Sequence, residues 1–198
     1  VRSESSDIIG ERVELHPGER IKVVAPSGRG KTTLILGMYG CRRDTGGNIT
    51  LDGRGTRGLT ANEWAEIRRE RLGIVFQDLR LFAPLTAREN IMVKADLTGT
   101  LAAGTIEEMA EALGLTAALD RPCAELSLGE QQRVAIIRAL TQPCDWLLLD
   151  EPFSHLDATT AAAAAALICR VCDKHAGGLV ITSLTATIPL ATNRMLRL

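Results

Sequence analysis

The sequence predicts an α/β domain on a parallel sheet, with a helical subdomain set between two halves of the core. Three observations predict it. The largely apolar runs Ile21–Val24, Leu72–Phe76, Trp146–Leu149 and Leu179–Thr182 read as strands buried in a core, and Trp146–Leu149 is unbroken, as in a strand covered on both faces. Helical patterns separate these runs, and strands alternating with helices pair in parallel. The span of about 78–140, by contrast, carries few strand signals.

Each element follows in order. Residues 1–20 are polar and close on His16-Pro17-Gly18-Glu19, a turn ahead of a strand at 20–24. A helix continues over 33–40 and stops near Gly40. Asn48–Asp52 alternates as a short strand ended by Asp52-Gly53. Residues 60–71 are helical, with Thr60 as N-cap and Glu63 at capping-box distance. Helices are expected over 86–95 and 105–119, with Thr86 and Thr105 as caps, and an amphipathic helix over 128–141. Asp157 caps an alanine-rich helix to about Lys174, and alanine is the best helix former. Arg194–Leu198 is a last short strand. The whole of 1–198 reads as one domain, its core from about 1–77 and 141–198 and its helical subdomain from about 78–140.

Composition narrows the function. A hydrophobic content of 45% and a charged content of 24% are those of an ordinary globular chain. A net charge of −1 gives no basic field for nucleic acid, and 3% aromatic residues give no base-stacking surface. No run of eighteen apolar residues marks a membrane span. The five cysteines, Cys41, Cys123, Cys144, Cys169 and Cys172, read as reduced and mostly buried. Cys169 and Cys172 lie at i, i+3 on a predicted helix, with no second pair at zinc spacing.

Chemistry begins at Ala25-Pro26-Ser27-Gly28-Arg29-Gly30-Lys31-Thr32-Thr33, between a buried strand and a helix. The phosphate-binding pattern G-x-x-x-x-G-K-[ST] is met except at its first position, Ala25. Glycines let backbone N–H groups close around phosphate oxygens, and the helix N-terminus adds a partial positive charge. Lys31 suits the β and γ phosphates, and Thr32 offers a hydroxyl to Mg²⁺. A glycine turn before a helix is common, so this loop alone specifies a nucleoside triphosphate and no particular machine. A second site adds to it: the strand Trp146–Leu149 runs into Asp150-Glu151-Pro152. Strand C-termini are where such sheets bind ligands. Asp150 suits the Mg²⁺ shell, and Glu151 is placed as general base toward an attacking water.

From Leu126-Ser127-Leu128-Gly129-Glu130-Gln131-Gln132-Arg133 through Leu140 the chain resembles the ATP-binding cassette family, the nucleotide-binding subunits of ABC transporters. Leu128 stands for the first glycine of the family's L-S-G-G-Q and Glu130 for its glutamine. The resemblance implies a P-loop NTPase (RecA-like) core with an N-terminal antiparallel β part. It implies that Ser127, Leu128, Gly129 and Glu130 face the γ-phosphate held by a second subunit. Val75-Phe76-Gln77-Asp78 resembles the Q-loop, which gives Gln77 a place beside Mg²⁺ and the lytic water. Ser154-His155-Leu156-Asp157 resembles the D-loop, and Leu81–Ile91 looks most like the lipoprotein-release and macrolide-export branch. The implied protein is an ATPase subunit using ATP and Mg²⁺. It pairs with a second copy or a related cassette subunit, sits in the cytoplasm against the inner face of the membrane, and drives a separate permease. Leu79, Leu81 and Phe82 are candidates both for a docking groove and for core.

Three departures qualify that expectation. Ser183 stands where the family has its switch histidine. A serine is shorter and carries no positive charge, so binding is expected to survive while hydrolysis slows, since losing a positioned group costs about 10²–10³ in rate. No Phe, Tyr or Trp precedes Tyr39 to stack on adenine, and the family's first strand has no counterpart in the sequence. The pattern stops early at its C-terminal end, as in a minimal or a truncated cassette. His155 and His175 read as ordinary surface residues. A regulatory module that binds ATP with little turnover is the second reading. A DNA-repair or chromosome-organising relative is a third, disfavoured by the short interval from Gln77 to Ser127, which carries no heptads.

Overall fold

A computed structural model describes residues 6–42, 46–99 and 105–198, without the side chains of Thr98 and Thr105, so the cap expected at Thr105 lies outside the described residues. The elements run β1 (Arg20–Val24), α1 (Lys31–Met38), β2 (Thr50–Leu51), β3 (Arg54–Gly55), α2 (Ala61–Glu70), β4 (Leu72–Val75), α3 (Ala87–Thr98) and α4 (Thr105–Ala112). Two 3-10 turns, Thr116–Ala118 and Cys123–Glu125, lead to α5 (Leu128–Leu140), β5 (Trp146–Asp150), α6 (Ala158–His175), β6 (Gly178–Ser183) and β7 (Arg194–Arg197). This is the α/β fold that the alternation of runs predicts. The four strands expected from these runs and β7 form one five-stranded sheet in the order β4-β5-β6-β1-β7, and every pairing in it is parallel.

Side chains on successive strand residues point to opposite faces, and here each face has its own core. Leu147, Leu149, Leu179 and Ile181 pack with α3, α4, α5 and α6. Ile21, Val23, Leu148 and Val180 pack on the other face with Ile35 of α1 and Trp64 of α2. Leu147, Leu148 and Leu149 are at most 1% exposed, and burying each contributes about 1.5–3 kcal/mol. The unbroken apolar run of β5 is thus the consequence of two covered faces. Among the described residues no helix is long and apolar enough to cross a membrane.

The expected capping box starts α2 at Thr60/Glu63, and the cap expected at Thr86 is also a box, closed by Glu89. The helix expected over 105–119 ends instead at Ala112. Gly114 takes φ +60°, and Leu115 N–H reaches Ala110 O while Gly114 N–H reaches Glu111 O, the paired bonds that close a helix on a left-handed residue. The antiparallel β part that the resemblance implies is present near the N-terminal end. It is the hairpin β2–β3, after α1, with Asp52 and Gly53 both at positive φ as a two-residue turn requires. Residues 6–19 form no strand.

Gly40 ends α1 at φ +71°, and a Cβ there would lie 2.3 Å from the Trp64 ring. Trp64 is 5% exposed, so the ring cannot move into solvent. Gly40→Ala is expected to cost about 2–4 kcal/mol, the sum of a positive-φ penalty and overpacking, read as a lowered denaturant midpoint at unchanged slope. The five cysteines are free thiols. Burial pushes the Cys144 thiol up to about 11 and the Cys172 thiol up to about 12, consistent with inert structural residues.

Candidate functional site

The sheet order places four strand C-termini side by side. Register pairs Val24 with Ser183, Asp150 with Thr182 and Val75 with Leu149. The residues that leave these strands therefore meet along one edge: the phosphate loop after β1, Thr182-Ser183 at the end of β6, Asp150-Glu151 at the end of β5, and Gln77 just beyond β4. A parallel sheet brings its chemistry to that edge because every strand points the same way.

Gly28 and Gly30 hold the loop in left-handed conformations, φ +76° and +93°. Gly30 is the N-cap of α1. Pro26, Ser27, Gly28 and Arg29 are exposed, whereas Ala25 is buried beneath them. The substitution of alanine at the first motif position is accommodated by a strand-end site that its small side chain fits. Lys31 is 5% exposed. Its ammonium donates to Ala25 O at 2.8 Å and Pro26 O at 3.1 Å and pairs with Glu151 Oε1 at 3.2 Å. These three acceptors match the three donors of an ammonium group, so the buried charge is fully satisfied and aimed into the loop.

Thr32 Oγ1 donates to Gln77 Oε1 at 2.7 Å, joining the first turn of α1 to the segment after β4. Thr33 Oγ1 accepts from Arg42. Asp150 is 1% exposed and accepts from Thr182 Oγ1 at 2.6 Å. That same hydroxyl accepts from Glu151 N–H at 3.1 Å. Glu151 sits at φ +49°, a strained value for a residue with a side chain, and it turns the carboxyl back toward Lys31. Sequence reasoning took Thr182 only as the end of an apolar strand. The available signal was a hydroxyl closing an otherwise apolar run, in register with Asp150.

Ser183 lies next to the loop, its carbonyl accepting from Ala25 N–H at 3.4 Å. Its own hydroxyl accepts from Thr185 N–H at 3.1 Å.

The signature residues stand apart from this cluster. Among the described residues no hydrogen bond joins 127–130 to 25–33. Ser127 caps α5 by accepting from Glu130 N–H, and Glu130 Oε2 accepts from Ser127 N–H and Oγ, each at 2.8 Å. Those bonds hold the Glu130 carboxyl below its ordinary range. Leu128 is 49% exposed, while Gly129 is packed so closely that a Cβ would lie 3.0 Å from His155 O. His155, expected to be an ordinary surface residue, has a specific partner: its Nδ1 is 3.0 Å from Oε1 of the buried Gln132. Of the three apolar docking or core candidates, Leu79 is core at 5% exposed and Phe82 is open at 53%; Leu81 packs partly against the core.

The side chains present fit a magnesium nucleotide. Thr32, Gln77 and Asp150 offer only hard oxygen donors, the ligands that Mg²⁺ prefers. A Cβ built at Gly28 meets nothing within 4 Å, so the loop is open to its exposed side. Among the described residues no three His, Cys, Asp or Glu side chains group to hold another metal.

The sequence profile of the family described as "ABC transporter" matches residues 10–154. The chain is 34% identical over 185 residues to the lipoprotein-releasing system ATP-binding protein LolD 1 of Rhodopirellula baltica, covering 92% of this chain and 80% of that one. It is 33% identical over 198 residues to YbbA of Escherichia coli, an uncharacterised ABC transporter ATP-binding protein, covering 98% and 87%. Two dimeric structures of the ATP-binding cassette MJ0796 superpose with TM-scores of 0.78 and 0.79 at 28% identity, each covering 87% of this chain and 78% of that one. One of them is described as a post-hydrolysis state bound to ADP and Pi. The chain belongs to the ABC transporter family, among the ATP-binding subunits of the lipoprotein-release branch.

Proposed function

We propose that this chain binds and hydrolyses ATP and that two cassettes close on two nucleotides to drive a separate membrane permease. The observation that carries the reading is the meeting of Lys31 and Glu151 at 3.2 Å inside a loop backed by Gln77 and Asp150. Backbone N–H groups of residues 26–33 receive the phosphates, and Lys31 balances the charge on the β and γ groups. Glu151 takes the proton from a water as its oxygen attacks the γ-phosphorus, and the bond to the β-phosphate oxygen breaks to leave ADP and phosphate. Thr32, Gln77 and Asp150 would hold Mg²⁺, whose charge, when bound, draws electron density from the phosphate oxygens. Thr182 keeps Asp150 oriented.

Ser127 and Gly129 serve the nucleotide of a second subunit, in keeping with their separation from this chain's own loop. The dimeric form of MJ0796 supports pairing with a second copy or a related cassette. The relatives named for lipoprotein release support a membrane permease as the machine driven, and with it a place at the inner face of the membrane. The span of about 78–140, with Gln77 at its start, acts as the helical subdomain that relays nucleotide state. Ser183 in the switch position favours a second reading, a module that binds ATP and signals by occupancy. Single-turnover mixing of ATP and magnesium with excess purified protein separates the two. ADP formed within seconds to minutes supports hydrolysis; bound ATP that stays intact over hours supports the occupancy module and overturns hydrolysis.

A further inference from the structure

Gln77 is held at its side chain by Thr32 and at its backbone by the turn that follows β4. It occupies a turn in which Leu79 N–H bonds Phe76 O at 3.0 Å and Arg80 N–H bonds Asp78 O at 2.6 Å. The turn ends in two consecutive left-handed residues, Leu79 at φ +58° and Arg80 at φ +48°. Side chains disfavour this conformation, and single residues rather than pairs adopt it; Arg80 supports the turn from within by pairing with Asp78 at 3.2 Å and lying over the Phe76 ring, while the carbonyls of the two strained residues call for a support from outside. Arg138, from the last turn of α5, supplies it. One guanidinium nitrogen donates to Leu79 O at 2.5 Å and the other to Arg80 O at 2.7 Å. Among the described residues no carboxylate pairs with Arg138. Burial lowers its pKa, so the cation is desolvated for the sake of two neutral carbonyls. A planar fork with two fixed donors suits two adjacent carbonyls, and a lysine cannot reproduce it.

We propose that Arg138 is a positioning residue that clamps the Gln77 turn, so that α5, whose N-terminus carries Ser127, sets where Gln77 meets Thr32. The same helix then offers its cap, Ser127, to the γ-phosphate of one site and orients the metal-side glutamine of the other with its last turn. The inference rests on the ATPase reading for its consequence, though not for the clamp itself.

Amide hydrogen exchange tests the clamp without turnover. In Arg138→Lys and the near-isosteric Arg138→Met, exchange at Leu79 and Arg80 is expected to rise about tenfold or more, with the sheet core within about twofold. In the wild-type chain the Arg138 guanidinium protons should be resolved and slow to exchange, a measurement that needs no variant. Turnover in Arg138→Lys should fall about tenfold with the KM for ATP within about threefold, and Arg138→Lys should add no further loss to Gln77→Ala. Unchanged exchange at Leu79 and Arg80, a uniform rise across the core, a rapidly averaged guanidinium signal, or losses that multiply in the double variant each overturn the proposal. A loosened turn in a protein whose wild-type form shows no turnover leaves the clamp standing and removes the ATPase reading instead.

Discussion

Glu151→Gln is expected to lower ATP turnover by about 10²–10⁴ while leaving nucleotide binding intact. The amide matches the carboxylate in shape and can still accept a hydrogen bond from water, but it cannot take the proton. Lys31 keeps Ala25 O and Pro26 O as acceptors, so the loop retains its fold. The backbone at φ +49° is held by the Thr182 bond to Glu151 N–H, which the substitution does not touch. A cassette that binds without cleaving should persist in the closed form, so ATP with magnesium should move the variant to dimer on size-exclusion chromatography, while ADP should not. Turnover in Glu151→Gln within tenfold of wild type would assign the base elsewhere.

Most of the fold is legible in the sequence because burial leaves a periodic trace. The run Trp146–Leu149 announces two covered faces, and Thr60/Glu63 announces a helix start. What the trace omits is register and tertiary reach. Thr182 matters because β6 lies beside β5 in a register that sets it opposite Asp150, and no spacing along the chain encodes that. Arg138 reaches a turn some sixty positions away, and along the chain it reads only as the basic end of an amphipathic helix. The error at 105–119 has a local cause: apolar residues recur through Leu115 and Leu119, and that pattern masked the stop at Gly114. The residues around the phosphate loop are plainer in the sequence. Lys31, Thr32, Gln77 and Glu151 each follow a strand and Asp150 ends one, and once those strands are parallel the five gather at one edge. The signature segment needed the resemblance, because nothing in this chain's own fold brings Ser127 to a phosphate.

Ser183→His is expected to raise turnover by about 10²-fold, toward the rate that a positioned charged group confers. The serine hydroxyl bonds Thr185 N–H, which turns it along its own loop, and its carbonyl, rather than its side chain, meets Ala25. Among the described residues no hydrogen bond joins the Ser183 hydroxyl to the phosphate loop, although the strand register sets its backbone beside Val24. An imidazole at 183 would start from that same backbone, reach farther than the hydroxyl, and offer a donor to a phosphate bound in the proposed site. Ser183 is half-buried and followed by the exposed residues Leu184 to Thr187, so the larger ring has room to turn outward without entering the core. The gain should appear in kcat with little change in the KM for ATP, because the proposed ground-state binding rests on the loop N–H groups and Lys31. If the wild-type chain already turns over briskly and histidine adds nothing, then serine at this position is no handicap, and the rate is limited by opening of the dimer rather than by chemistry at the γ-phosphate.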